Sequence, residues 1–390
     1  MAGKKLGIIG ARGMVGQVLL KRMVEENDFA PFETTFFSTS SIDQPNPYVT
    51  QINNANVDDL LRDAFDLNRL LKMDYIISTQ GGDYTSKIFK PLMEAGYKGK
   101  WIDAASTLRM HADSVIVLDP INLEQMKQSL HRGGQIFVGG NCTVSLMLLA
   151  LGGLFKENLV EWVSSMTYQA ASGAGARNMA ELLVQSHHLT RKLVGKVGNN
   201  DNWNPQEEIE NLSRDILKNE EALRAALKES DFPKDHFGAP LSMNLLPFID
   251  SEWEHGQSKE EWKGAVEANK ILQTAQFIPV DGTCVRVGAL RSHSQALTIK
   301  LHKNVSLKTC EELVKSHNSW VKFVPNQKSL TMSELTPAAT SGTLNIAVGR
   351  MRKMNLGDTY LNVFTVGDQL LWGAAEPLRR TLQIMLENEK

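Results

Sequence analysis

Cysteine is scarce in this chain: Cys142, Cys284 and Cys310 are the only three in 390 residues. So odd and sparse a set does not read as a disulfide framework, and its spacing is not of zinc type, so a reduced, cytoplasmic setting without a bound metal is expected. Long apolar runs are missing too. The longest, Thr143 to Phe155, falls short of the roughly 20 residues that span a bilayer. The run Leu6 to Ile9, after two lysines, is interrupted by Arg12 before it reaches signal-peptide length. Neither a membrane segment nor a targeting segment is therefore expected. Excess charge is also absent: a formal net charge of −2 argues against nucleic acid as the main partner and leaves room only for a local basic pocket. There is no internal repeat or low-complexity tract.

What is present is the composition of a globular protein, with 42% hydrophobic and 22% charged residues over a length that suggests about two domains. Lys5 to Ile9 is a short apolar run. It is followed by Gly10-Ala11-Arg12-Gly13-Met14-Val15-Gly16, and then by Val15, Val18, Leu19 and Met23 at helical spacing: strand, glycine turn, helix. Glycines at 10, 13 and 16 form a variant of the dinucleotide fingerprint, which lets backbone approach a pyrophosphate at a helix N-terminus. Tight packing of a strand on a helix without a ligand would use the same glycines. The second strand, Thr34 to Phe37, ends in Ser38-Thr39-Ser40-Ser41, where the acid that usually meets a ribose 2′-hydroxyl is missing. Hydroxyls there, with Arg12 available from the first turn, suit a 2′-phosphate and favour NADP over NAD; a polar capping turn is the alternative.

Apolar runs at Tyr75 to Ser78, Trp101 to Ala104, Val115 to Leu118 and Ile136 to Val138 alternate with helical patterns near Tyr84 to Ala95 and Ile121 to Leu130. That alternation predicts an α/β fold, a Rossmann-type parallel sheet covered on both faces, with Gln80 and Arg109 just beyond strand ends where ligands bind. Arg109 there suits an anion or a surface ion pair. At Gly139-Gly140-Asn141-Cys142-Thr143 a strand breaks and a helix begins, so Cys142 sits where helix amides and dipole favour thiolate and where Asn141 could help bind an oxyanion. A buried thiol at a domain junction is the plainer alternative.

A second, α+β domain is expected from there. It contains a long strand from Val160 to Ala170, polar helices over Ala176 to Leu193 and Pro205 to Lys228, and a Gly/Asn-rich loop over Gly195 to Asn204. A helix capped by Ser258 follows, then strands Phe277 to Val287 and Gln295 to Leu301 joined by a turn carrying Arg291 and His293. The segment Leu370 to Leu386 reads as an amphipathic helix interrupted by Pro377 that returns to the first domain. These boundaries divide the chain into a cofactor domain, 1–140 with about 373–390, and a catalytic and dimerisation domain, 141–372. Thiol plus nicotinamide suggests an acyl-enzyme, with His293 the best candidate acid or base because its ordinary pKa lies near working pH.

Four motifs resemble one family: Gly139-Gly140-Asn141-Cys142-Thr143-Val144-Ser145, Gln169-Ala170-Ala171-Ser172-Gly173, Arg286 through Gln295, and Gly367-Asp368-Gln369-Leu370-Leu371-Trp372-Gly373. They are similar, in order and over nearly the whole chain, to bacterial aspartate-semialdehyde dehydrogenases of the Gram-negative type. The resemblance implies NADPH-dependent reductive dephosphorylation of L-aspartyl 4-phosphate on the route to lysine, threonine, methionine and diaminopimelate. It implies Cys142 as acyl carrier and His293 as acid/base. Gln169, Glu260 and Arg286 would bind substrate, and Arg109 and Lys263 phosphate. Gly10, Arg12, Gly13, Met14, Val15, Thr39, Ser40, Gln80, Ser172, Gly173 and Gln369 would contact NADP(H), and the protein would be a homodimer. Other phosphorylating aldehyde dehydrogenases, such as N-acetyl-glutamyl-phosphate reductase or glyceraldehyde-3-phosphate dehydrogenase, share the cofactor domain, cysteine and histidine. A cofactor-binding regulator without chemistry would leave the filled Cys142, His293 and arginine positions unexplained.

Overall fold

The computed structural model describes residues 3–52, 56–193, 204–214 and 216–388, which two sheets organise. The first begins with β1 (Lys4–Ile9), followed by α1 (Met14–Glu25) and β2 (Phe32–Ser38). Short β3 (Asn56–Val57), β4 (Arg62–Asp63) and α2 (Leu67–Leu70) precede β5 (Tyr75–Ser78), α3 (Gly82–Glu94), β6 (Lys100–Asp103), β7 (Ser114–Val117), α4 (Asp119–His131) and β8 (Ile136–Gly139). The strand order is β3-β2-β1-β5-β6-β8-β7, with β4 beside β2, and every pair is parallel. Both faces are covered, so strands such as β5 and β8 are buried at every position and read as continuous apolar runs.

The order reverses between β1 and β5, where a crevice opens beyond the strand ends. There Gly10 turns with φ 85°, and a Cβ on it would lie 2.6 Å from the Gln80 amide nitrogen; one on Gly16 would lie 2.2 Å from the Gly10 carbonyl oxygen. Side chains cannot approach so closely, which is why this turn is spelled in glycine.

From β8 the chain enters α5 (Cys142–Lys156), buried at every position from Thr143 to Phe155. A helix apolar all round needs cover on all sides, and α5 finds it against the second sheet. That sheet starts at β9 (Val160–Gln169); helices α6 (Ala176–Leu193), α7 (Pro205–Arg214) and α8 (Ile216–Ala226) lead to β10 (Leu245–Leu246) and α9 (Lys259–Leu272). Next come β11 (Val280–Asp281), β12 (Cys284–Val287), β13 (His293–Leu301), α10 (Leu307–Ser316), β14 (Val321–Phe323), α11 (Lys328–Glu334), α12 (Pro337–Thr340), β15 (Ile346–Met354) and β16 (Gly357–Gly367). The order is β10-β12-β9-β13-β16-β15-β14, with β11 on β9. Val163, Leu297, Ile299 and Val363 face the leucines of α5, while Met166 and Tyr168 point out from β9.

A π-helical turn (Leu371–Ala375) then leads into α13 (Glu376–Asn388), whose Leu378, Leu382 and Met385 join the core of the first sheet. On α13, Arg380 pairs with Asp119 and lies over the rings of Trp320 and Trp372.

The helix expected over Leu370 to Leu386, interrupted at Pro377, is the π-helical turn followed by α13, and the change from one to the other falls beside Pro377, the second residue of α13. Two expectations change. The strand expected over Phe277 to Val287 is two short ones, β11 and β12, separated where Gly282 crosses so close to β9 that a Cβ would lie 2.0 Å from the Ser165 carbonyl oxygen. His293 opens β13 and is not part of the turn before it. The helix expected over Pro205 to Lys228 is described as α7 and α8 on either side of Asp215, which lies outside the described residues. The loop expected over Gly195 to Asn204 lies, apart from Asn204, outside them too.

Candidate active site

Asn141 caps α5: its Oδ1 accepts the Thr143 and Val144 amides at 3.0 and 3.2 Å, which puts Cys142 at the first helical position. Its Nδ2 donates to Glu260 Oε1 at 2.9 Å. The Asn141 side chain is thus engaged at both ends, with the second N–H of Nδ2 left to offer. Among the described residues, the amide at this helix start that meets no acceptor is that of Cys142 itself.

Other forces oppose the thiolate expected at the helix start. Burial and the Glu260 carboxylate push the Cys142 thiol up to about 12, against the pull of Arg109, Arg286 and Lys263. Loss of solvent outweighs a helix dipole effect of about 0.3–1 kcal/mol.

Cys142 opens into a cavity of about 450 Å³ that also meets Arg109, Gln169, Glu260, Lys263 and Arg286. Sheet register explains the convergence. Gln169 at the end of β9 pairs with Arg286 on β12, and His293 at the start of β13 pairs with Gly367 at the end of β16, so these residues share one end of the sheet, beside the start of α5. Arg286 Nη1 donates to the Ala170 carbonyl at 2.8 Å, and Gln169 Nε2 donates to Glu260 Oε1 at 3.3 Å. Lys263 Nζ donates to Glu260 Oε2 at 3.1 Å and to Asp250 Oδ2 at 2.6 Å. Burial opposes the lysine charge, but these two carboxylates hold its pKa above the ordinary value. Arg109 is anchored by the Gly139 carbonyl at 2.7 Å and by Glu267 Oε1 at 3.1 Å.

His293 is fully buried, and its Nδ1 accepts the Ala170 amide at 3.0 Å. A neutral ring so held carries its proton on Nε2, which finds no partner among the described residues. Burial and the Arg286 charge push this imidazole down to about 3. Gly173 stands between it and the cavity: a Cβ there would lie 2.9 Å from both His293 Nε2 and Arg286 Nη1. Cys142 thus meets the cavity directly and His293 lies behind its wall. On the side of the π-helical turn, a Cβ on Gly373 would lie 2.7 Å from Cys142 Cβ. Gln369 ties the walls together, its Nε2 donating to Ser172 Oγ and its Oε1 accepting the Ser292 amide at 2.9 Å.

A second cavity, of about 390 Å³, lies at the switch point and meets Gly10, Arg12, Gly13, Ser38 and Gln80, with no carboxylate among its lining residues. Arg12 donates to Ser40 Oγ and, at 2.9 Å, to Ser41 Oγ; Gln80 Nε2 donates to Thr39 Oγ1 at 3.4 Å. A guanidinium among hydroxyls suits a phosphate, so these residues fit NADP(H). Met14 and Val15 open α1, and Val15 reaches the Cys142 cavity, as do Ser172, Gly173 and Gln369.

Sequence reading missed Glu267, Asp250 and Asp368. Glu260, Lys263 and Glu267 share one face of α9, and charge at that spacing ordinarily means solvent. Gly264, Ala268 and Ile271 on the same side were the signal that the face turns inward. Asp368, 1% exposed, accepts the Gly342 and Leu370 amides and pairs with Arg291.

Comparison with known proteins matches residues 5–129 to the family model of the semialdehyde dehydrogenase NAD-binding domain, and residues 151–372 to that of the semialdehyde dehydrogenase dimerisation domain. The structure is similar to aspartate semialdehyde dehydrogenase from Francisella tularensis, at 49% identity and a TM-score of 0.89, over 98% of this chain and 100% of that one. It shares its fold with aspartate semialdehyde dehydrogenase II of Vibrio cholerae complexed with ASA, at 21% identity and a TM-score of 0.77 over 99% of both chains. It also shares its fold with the Candida albicans enzyme with NADP, at 17% identity and a TM-score of 0.63 over 100% of this chain and 99% of that one.

Proposed function

The chain belongs to the semialdehyde dehydrogenase family, and on that premise we propose that it catalyses NADPH-dependent reductive dephosphorylation of L-aspartyl 4-phosphate to L-aspartate 4-semialdehyde and phosphate. The product feeds synthesis of lysine, threonine, methionine and diaminopimelate. One observation carries the reading: a single cavity sets the Cys142 thiol among Arg109, Lys263, Arg286 and Glu260. The substrate has matching parts, an acyl carbon for the thiol, a phosphate for Arg109 and Lys263, a carboxylate for Arg286 and an amino group for Glu260.

Cys142 sulfur attacks the acyl carbon, the carbon–oxygen bond to phosphate breaks, the thiol proton leaves with the phosphate, and a thioester remains on the chain. The Cys142 amide is the donor placed for the oxyanion. NADPH would be held by Gly10, Arg12, Gly13, Met14, Val15, Thr39, Ser40, Gln80, Ser172, Gly173 and Gln369 and would supply the hydride for the thioester carbon, whose bond to Cys142 sulfur then breaks to release the semialdehyde. Gln169 orients the acyl group beside Glu260. His293 Nε2–H is a donor in the neutral ring, so its part is to give a proton or hydrogen bond to the reacting oxygen or departing thiolate.

We place the homodimer interface on the outer face of the second sheet, where Met166 and Tyr168 are each 38% exposed and Tyr168 stacks on Phe364. Three free thiols suit the reducing cytoplasm. Among the described residues no helix is long and apolar enough to cross a membrane.

Mass spectrometry of protein trapped with substrate tests the chemistry: the acyl adduct is expected on Cys142, and an adduct confined to Cys284 or Cys310 refutes it. Phosphate-dependent NADP reduction should be fastest with aspartate semialdehyde. Comparable rates with N-acetylglutamate semialdehyde and glyceraldehyde 3-phosphate would defeat the substrate assignment.

A further inference from the structure

The two cations assigned to phosphate are neutralised in different ways. Arg109 faces Glu267, whose side chain is 2% exposed and whose second oxygen accepts the Asn141 amide at 2.7 Å. That carboxylate cannot leave without loosening the start of α5. Lys263 faces Asp250 at 2.6 Å, and here the acid is 34% exposed. Asp250 lies in the stretch between β10 and α9 and lines the Cys142 cavity; among the described residues its other oxygen accepts only the neighbouring Ser251 amide, at 2.8 Å. Its backbone is left-handed, φ 74°, a conformation that aspartate tolerates better than most residues.

We propose that the Asp250 carboxylate stands in for substrate phosphate on Lys263 and is displaced when phosphate binds, so that Asp250 sets the affinity of the enzyme for phosphate. The inference rests on the reading of Lys263 as a phosphate-binding residue. Lys263 has a third N–H to offer, but a dianion placed there would face two carboxylates across a few ångströms in a cavity partly shut off from water. Glu260 is held by Asn141 and Gln169 and is needed for the substrate amino group, so it stays. Asp250 has solvent on one side and is the group that can move. The displacement lowers phosphate affinity on entry, and the return of Asp250 to Lys263 competes product phosphate away.

Steady-state kinetics in the phosphorylating direction, with aspartate semialdehyde, NADP and inorganic phosphate, test it. Asp250→Asn preserves shape and tolerance of the left-handed backbone, and Asp250→Gly removes the side chain where the backbone permits it. Both are expected to lower the KM for phosphate about three- to tenfold relative to the KM for the aldehyde. Neither substitution should lower it in a Lys263→Ala background. If Lys263→Ala raises the phosphate KM but both Asp250 variants leave it unchanged or raise it, Asp250 is no competitor and the proposal is overturned. If Lys263→Ala leaves the phosphate KM unaltered, the phosphate reading of Lys263 itself fails, and this inference with it.

Discussion

Gly373→Ala adds one methyl group to the wall opposite the catalytic thiol. Its carbon would sit 2.7 Å from Cys142 Cβ, 3.1 Å from Cys142 Cα and 3.1 Å from Gln369 Cβ. Carbon atoms rest at about 3.5–4.0 Å, so Cys142 or the π-helical turn must retreat by about 1 Å. Displacing a reacting atom that far costs on the order of 10²-fold in rate. Stability moves less: overpacking costs about 1–3 kcal/mol, and alanine in place of glycine in a helical turn returns up to about 1 kcal/mol. The expected signature is therefore a kcat/KM lower by about two orders of magnitude, with a melting temperature down by only a few degrees and NADPH binding retained. Stopped-flow measurement of acyl-enzyme formation, beside a thermal melt, reads both. A variant within about threefold of the parent rate would refute the claim that Gly373 fixes the thiol.

Three further outcomes are expected. His293→Asn should lower kcat by about 10². It should also flatten the acid limb of stability. The folded-state value of about 3 lies below the ordinary 6.5, so the stability tied to the neutral ring is present above pH 6.5 and lost as pH falls from 6.5 towards 3. Melting curves of parent and variant that stay parallel over that window would contradict the burial of this ring. Alkylation of Cys142 in the ligand-free enzyme should keep accelerating with pH beyond 9, because its thiol is pushed up to about 12; a plateau near neutrality would show a stabilised thiolate instead. Arg12→Ala should raise the KM for NADPH about tenfold or more while that for NADH hardly moves, because the guanidinium is placed for a 2′-phosphate. An equal rise for both cofactors would assign Arg12 to the shared pyrophosphate.

What could be read in the chain was local. The glycine turn after β1, the strand–helix alternation through β8 and the cap of α9 are written in neighbouring residues, and the structure has them where spacing puts them. What could not be read came from distant partners. The dipole at the start of α5 argued for a thiolate, but Glu260, on another helix, and the surrounding bulk argue for a thiol. Asn141 looked free because its capping amides and Glu260 are invisible in a motif. Lys263 is neutralised by Asp250, thirteen positions earlier and outside any recognisable pattern. The Arg286 to His293 stretch was legible as a loop bearing chemistry, yet β-pairing of His293 with Gly367 depends on a strand more than sixty residues away.

The chain passes between the two sheets twice, once from β8 into α5 and once from β16 through the π-helical turn into α13, and the two passages touch where Gly373 meets Cys142. The thiol is therefore set where both connections between the sheets meet, so a substitution in either passage reaches the nucleophile without touching the substrate cavity's cations.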